Sequence, residues 1–129
     1  MNDRYETTQI YGEFGIEIYD KSLVKQVSEL MSLLGEIDIK NTRRNTVIFD
    51  YNTDKIITVT VDEVSDILCE KLEPFTDNFA NFYSHNKDKC YMGICFVVYL
   101  GKNGISIVIN QRLIKLATAL GVEIQFDGL

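Results

Sequence analysis

The 129-residue chain is predicted to fold as one α+β domain, a two-layer sandwich whose mixed six-stranded sheet carries three helices on one face. Three observations predict it. Residues 8–19 alternate apolar and polar side chains with the period of two that marks a half-buried strand, and 90–100 is an apolar, β-branched and aromatic run suited to a central strand. Residues 23–34, 61–82 and 113–120 repeat apolar residues every three or four positions, the spacing of one helix face. The length, with 46% hydrophobic and 25% charged residues, suits one core rather than two and is unlike a disordered chain. The expected order is β-α-β-β-α-β-β-α-β, whose first six elements have a ferredoxin-like order and whose last three repeat a strand–helix–strand unit.

In the first strand Ile10, Phe14, Ile16 and Ile18 share one face, while Tyr11, Glu13, Gly15, Glu17 and Tyr19 share the other. Asp20 offers an acceptor that starts a helix, Leu23, Val27, Leu30 and Leu34 form its apolar stripe with Val24 and Met31, and Gly35 ends it. The polar stretch 36–45 holds one basic cluster, Lys40, Arg43 and Arg44, and reads as a solvated loop with a short extended piece at Ile37 and Ile39. Strands are expected at Thr46–Tyr51 and Lys55–Val61, joined as a hairpin through Asn52-Thr53-Asp54. Asp62 is placed as the cap of a second helix, whose apolar face runs Val61, Val64, Leu68, Leu72, Phe75, Phe79, Phe82. Pro74 lies inside that pattern and predicts a kink or break, since it lacks the backbone donor and clashes with the preceding turn. After the polar loop 84–89 and the strand Cys90–Leu100, Gly101-Lys102-Asn103-Gly104 signals a tight turn into a strand at Ile105–Ile109. Asn110 caps a third helix carrying Leu113, Leu116, Ala117 and Leu120, which Gly121 ends. Val122, Ile124 and Phe126 then alternate with Glu123, Gln125 and Asp127 in the last strand. The sheet face under the helices should be apolar, leaving the opposite face semi-polar.

Charge and cysteines narrow the function classes. Nineteen acidic against thirteen basic residues give a net charge of −6, which disfavours direct binding to nucleic acid and to anionic membranes and favours a basic protein partner. No apolar run is long enough for a membrane span, and the start Met1-Asn2-Asp3-Arg4-Tyr5-Glu6 has no apolar signal core, so a cytoplasmic protein is expected. Cys69, Cys90 and Cys95 are an odd, unclustered set that suits a reducing compartment and a role as small buried hydrophobes, with Cys90 and Cys95 on opposite strand faces. One histidine, His85, near Cys90 cannot complete a zinc site. No metal, cofactor or phosphate loop is expected, and the Gly12-Glu13-Phe14-Gly15 run lies within a strand pattern. Ser84-His85 has nothing to orient it as a nucleophile pair, so no catalytic residues are assigned and the protein is expected not to be an enzyme.

The second half carries a wider pattern. It runs from Cys69-Glu70-Lys71-Leu72-Glu73-Pro74-Phe75 through the apolar strand and the glycine-bearing turn to Ile109-Asn110, then Arg112-Leu113-Ile114-Lys115-Leu116-Ala117 and Leu120-Gly121-Val122-Glu123-Ile124. Together with Val27–Gly35, this resembles an uncharacterised bacterial family of small α+β proteins, the domain-of-unknown-function family number 4279. The resemblance implies the fold and a bacterial setting in which small acidic proteins neutralise toxins, as immunity proteins do. It supplies no catalytic residues.

Two surfaces stand out as candidates. Asp62, Asp66, Glu70, Glu73 and Asp77 step along the helix face opposite its apolar stripe, with Lys71 as the local counter-charge. Like charges at this spacing repel by only about 0.2–0.5 kcal/mol per pair, so a solvated helix face is the default reading, and a landing strip for a cationic partner is the functional one. Tyr11, Glu13, Glu17 and Tyr19 from the first strand and Tyr91 and Tyr99 from the Cys90 strand should share the open sheet face if those strands are neighbours. Tyrosine is enriched at binding hot spots, and it also simply fits pleated surfaces. The leading expectation is a non-catalytic immunity protein that occludes a basic, nuclease-type toxin through Tyr11, Glu13, Glu17, Tyr91, Asp66, Glu70, Glu73 and Asp77. The alternatives are a small-ligand-binding homodimeric sensor domain and an acidic inhibitor of a nucleic-acid enzyme.

Overall fold

The structure is a computed structural model that describes residues 6–129. Its spine is strand β1 (Gln9–Ile18), in which every even position from Ile10 to Ile18 is buried and every odd one half-buried. Helix α1 (Val24–Met31) follows, flanked by short 3-10 turns at Lys21–Leu23 and Ser32–Leu34. Asp20 caps that entry as expected, accepting a bond from the Ser22 amide at 3.0 Å. Gly35, at a φ of 89°, turns the chain out into β2 (Asp38–Asn41), β3 (Val47–Asn52) and β4 (Ile56–Ile57). Helices α2 (Asp62–Leu72) and α3 (Thr76–Asn86) are separated by a 3-10 turn at Glu73–Phe75, so the predicted break falls at Pro74. Strand β5 (Cys90–Tyr99), helix α4 (Gln111–Leu120) and strand β6 (Glu123–Asp127) complete the domain. Asn110 caps α4 by accepting from the Leu113 amide, and Gly121 ends it with a left-handed φ of 75°.

The sheet is mixed, in the order β2-β3-β1-β5-β6 with β4 also paired to β1. The β5–β6 pair is parallel and the other ladders are antiparallel. The α+β sandwich is therefore as predicted, but three details differ. First, 46–61 is not a hairpin. β3 and β4 both run antiparallel to β1, one after the other, because the turn-like Asn52-Thr53-Asp54 is a bulge in one strand line. Thr53 keeps the bulge on the ladder: its amide donates to the Gly12 carbonyl, and its hydroxyl accepts from the Gly12 amide. The hairpin is instead β2–β3, closed where Thr42 and Thr46 exchange bonds.

Second, 105–109 is not a strand of the sheet. Buried Thr8 ties the 101–104 turn to the start of β1, accepting from the Gly101 amide while Asn103 Oδ1 accepts from the Thr8 amide. The segment beyond then pairs with the backbone through one isolated bridge, Ser106 to Thr60, with the Ser106 amide donating to the Val59 carbonyl. β1 lies between β3 and β5 and is antiparallel to both. Third, the second helix starts one residue earlier than expected. Val61 is its cap position, and Asp62 with Glu63 sits in the first turn, where negative charge complements the helix dipole.

The core fills the space between the even-numbered face of β1 and β5 and the helices. Phe14 stands edge-on to Phe79 of α3, with ring centroids 5.0 Å apart. Gly12 lets α2 approach closely, since a Cβ there would lie 2.6 Å from Leu68 Cδ1. Among the described residues, no helix is long and apolar enough to cross a membrane.

Candidate functional site

With the helices on one face, the odd positions of β1 and β5 form the floor of the other. The β1–β5 register pairs Glu17 with Tyr91, Gly15 with Gly93, Glu13 with Cys95 and Tyr11 with Val97. On the other side of β1, Glu17 faces Ile48, Gly15 faces Asp50 and Glu13 faces Asn52. The rows extend to Asp38 and Lys40 on β2, opposite Asp50 and Ile48, and to Glu123, Gln125 and Asp127 on β6. The sheet thus brings Tyr11, Glu13, Glu17 and Tyr91 together on one open face, as parity predicted. Tyr11 and Tyr99 lie at one end, with centroids 6.3 Å apart, and Tyr91 lies toward the other. Lys55 sits over the Tyr99 ring at 4.1 Å.

The middle of this face is hollow because the paired Gly15 and Gly93 carry no side chains. A depression of about 140 Å³ lies over them, walled by Glu13, Glu17, Asp50, Tyr91, Cys95 and Gln125. The Tyr91 ring leans over Gly93, where an added Cβ would come within 2.9 Å of it. Its hydroxyl accepts a bond from Gln125 Nε2 at 3.0 Å. Thr46 donates to Glu17 Oε2 at 2.7 Å, fixing that carboxylate.

Asp50 is the residue that sequence reasoning missed. It is only 5% exposed, and its nearest cation, Lys40, stands 3.9 Å from Oδ2. A signal was available: in Val47-Ile48-Phe49-Asp50-Tyr51 the apolar residues at 47, 49 and 51 claim the core, which puts 50 on the open face. Its burial there follows from its neighbours across the sheet, which one strand's pattern does not contain.

Burial holds the Asp50 carboxyl above its ordinary value; Lys40 pulls it back and Asp38 pushes it further up. Glu13 is likewise raised, first by burial, then by the charges of Asp50 and Asp127, against Lys40. Both groups bind their protons more tightly folded than unfolded. Their contribution to stability is therefore full below the ordinary carboxylate range and is lost as pH rises through the raised values. Asp50→Asn should remove most of that loss. We expect the variant to be more stable than the parent at pH 7.5, on the order of 1 kcal/mol or a few degrees in Tm, with the gap closing by pH 4. Thermal melts of the two proteins across that range check it.

The setting of the cysteines disfavours the thiolate form. Burial raises all three thiols to about 11, and for Cys95, which lines the depression, the carboxylates of Glu13, Asp127 and Asp50 add to the effect. His85 Nδ1 lies 2.7 Å from the Asn81 carbonyl, which can only accept, so that nitrogen carries the hydrogen and cannot act as a base for Ser84.

The four helical candidates, Asp66, Glu70, Glu73 and Asp77, lie on the exposed side of α2, α3 and the turn between them, across the domain from the open face. The eight candidate residues therefore form two separate groups. The expectation that only Lys71 balances this stripe is corrected. Arg112 of α4 grips Glu73 with two bonds, 2.9 and 2.6 Å, and stands 3.8 Å from Asp66. The same grip holds the Glu73 carboxyl below its ordinary value. Lys71 itself is drawn aside over the Tyr51 ring, 5.5 Å from its centroid. Asp62, Glu70 and Asp77 are the stripe's carboxylates that make no ion pair among the described residues.

The profile of the family described as Domain of unknown function (DUF4279) matches residues 24–128. No curated protein and no solved structure matches the chain.

Proposed function

The chain belongs to the DUF4279 family of domains of unknown function, and from that premise we propose a role read from the open face itself: a non-catalytic immunity protein that covers the basic surface of a nuclease-type toxin. One observation carries the reading. Glu13, Glu17, Asp38 and Asp50 share an uncovered sheet face, with tyrosines at both ends and Lys40 paired to Asp50. Such a face presents carboxylates where a nuclease binds phosphates, so docking there would occlude the toxin's substrate path. The tyrosines add contact area that freezes few rotors. The helix stripe supports the reading less, because Arg112 already occupies Asp66 and Glu73.

The test begins with affinity capture from the protein's own cells at low salt. The expected result is a basic protein bound one to one, whose affinity falls at least tenfold between about 50 and 500 mM salt as screening grows. Capture of no basic protein would overturn the reading. A stable homodimer by light scattering, with a melting shift on adding small metabolites, would favour the sensor alternative instead.

A further inference from the structure

The geometry points to a socket over the Gly15–Gly93 pair that takes a single guanidinium group, an arginine side chain of the partner. This rests on the reading of the open face as a docking surface, and it names the residue that anchors there.

The space is the first ground. Side chains at 15 and 93 would collide with Asp50 Oδ1 at 2.5 Å and with the Tyr91 ring at 2.9 Å, so the paired glycines keep the hollow open. Its volume of about 140 Å³ suits one long side chain. Metabolite pockets run to roughly 300–1,000 Å³. The second ground is Asp50. Its carboxylate is 5% exposed and lines the hollow, and Lys40, the cation paired with it among the described residues, stands at 3.9 Å, too far for a hydrogen bond. A carboxylate this far buried, with no hydrogen-bond donor among the described residues, is costly, and a ligand rich in donors answers it.

The third ground is the chemistry of the wall. Acceptors dominate it: Asp50, Glu13, and the oxygen of Glu17 that Thr46 leaves free. Gln125 gives one of its two amide hydrogens to Tyr91. A planar group with five donors answers that set, and the flat Tyr91 ring offers it a stacking surface. A lysine ammonium is more strongly hydrated and lacks the planar pair of N–H donors that grips a carboxylate through both oxygens. Among the described residues, no group of three potential ligands is arranged for a metal ion.

The probe is a capped glycine–arginine–glycine peptide, titrated into the ¹⁵N-labelled protein and followed by NMR. The lysine and citrulline counterparts serve as comparisons. Saturable shifts at the Gly15 and Gly93 amides are expected, with a Kd in the millimolar range, about tenfold weaker binding for lysine and no binding for citrulline. Asp50→Asn should weaken the arginine peptide at least tenfold. Gly93→Ala, which fills the hollow from the other strand, should do the same, so either variant suffices should one fail to fold. Equal responses to arginine and citrulline, or undiminished binding by both variants, would overturn the socket. A partner still captured in full by Asp50→Asn and Gly93→Ala, yet lost on reversing Glu13 and Glu17, overturns the socket and leaves the docking face intact. A partner lost by none of these variants overturns both.

Discussion

Lysine at both Glu13 and Glu17 is expected to weaken capture of the basic partner at least 100-fold, while lysine at both Glu70 and Asp77 changes it by less than about threefold. Two reversals at the centre of a charged interface remove two attractive pairs and install two repulsive ones. Truncating one charge of a buried interfacial pair already costs roughly 2–5 kcal/mol, and 100-fold is about 2.7 kcal/mol. The substitutions are tolerable in the free protein. Glu17 loses one bond from Thr46, and at position 13 a lysine meets Asp50 and Asp127, the carboxylates whose repulsion now raises Glu13. Circular dichroism should therefore show a folded chain, and isothermal calorimetry with the captured partner reads the affinity.

Phe14→Ala is expected to cost about 3–5 kcal/mol, the range for deleting a buried aromatic and leaving a cavity. Phe14 is fully buried, sits mid-strand between Tyr51 and Ile94, and meets Phe79 edge-on. It thus joins three strands to α3 at the point directly beneath the open face. Domains of this kind have a total stability of roughly 5–15 kcal/mol, so the loss should lower Tm by at least 10 °C in a thermal melt. A shift of only a degree or two would mean that the sheet and helix layers are not packed as described.

Period-two alternation made β1 and β5 legible, because each strand buries one whole face and leaves the other half-open. Their parity placed Tyr11, Glu13, Glu17 and Tyr91 on one surface before any register was known. Local chemistry was legible too: Pro74 broke its helix, Asp20 and Asn110 capped theirs, and Gly121 ended α4. Long-range pairing was not. Asn52-Thr53-Asp54 has turn composition, but the Gly12 backbone, 41 positions away, holds Thr53 on the ladder and makes a bulge of it. Ile105, Ile107 and Ile109 alternate like a strand, yet Thr8 anchors the preceding turn so that only Ser106 finds a backbone bridge. Arg112 neutralises Glu73 across 39 positions, which no helical spacing reveals. Asp50 was hidden for the same reason, since its burial is set by Gly15 and the neighbouring strands.

The claim that the open sheet face receives a basic partner is tested most directly by carboxylate footprinting. Carbodiimide coupling to glycinamide labels exposed Asp and Glu side chains, and mass spectrometry reads each site with and without the captured partner. Glu17, Glu13 and Asp127 should lose most of their labelling in the complex, with Glu70 and Asp77 unchanged. Protection of Glu70 and Asp77, with Glu13 and Glu17 labelled as in the free protein, would place the partner on the helices and contradict the account.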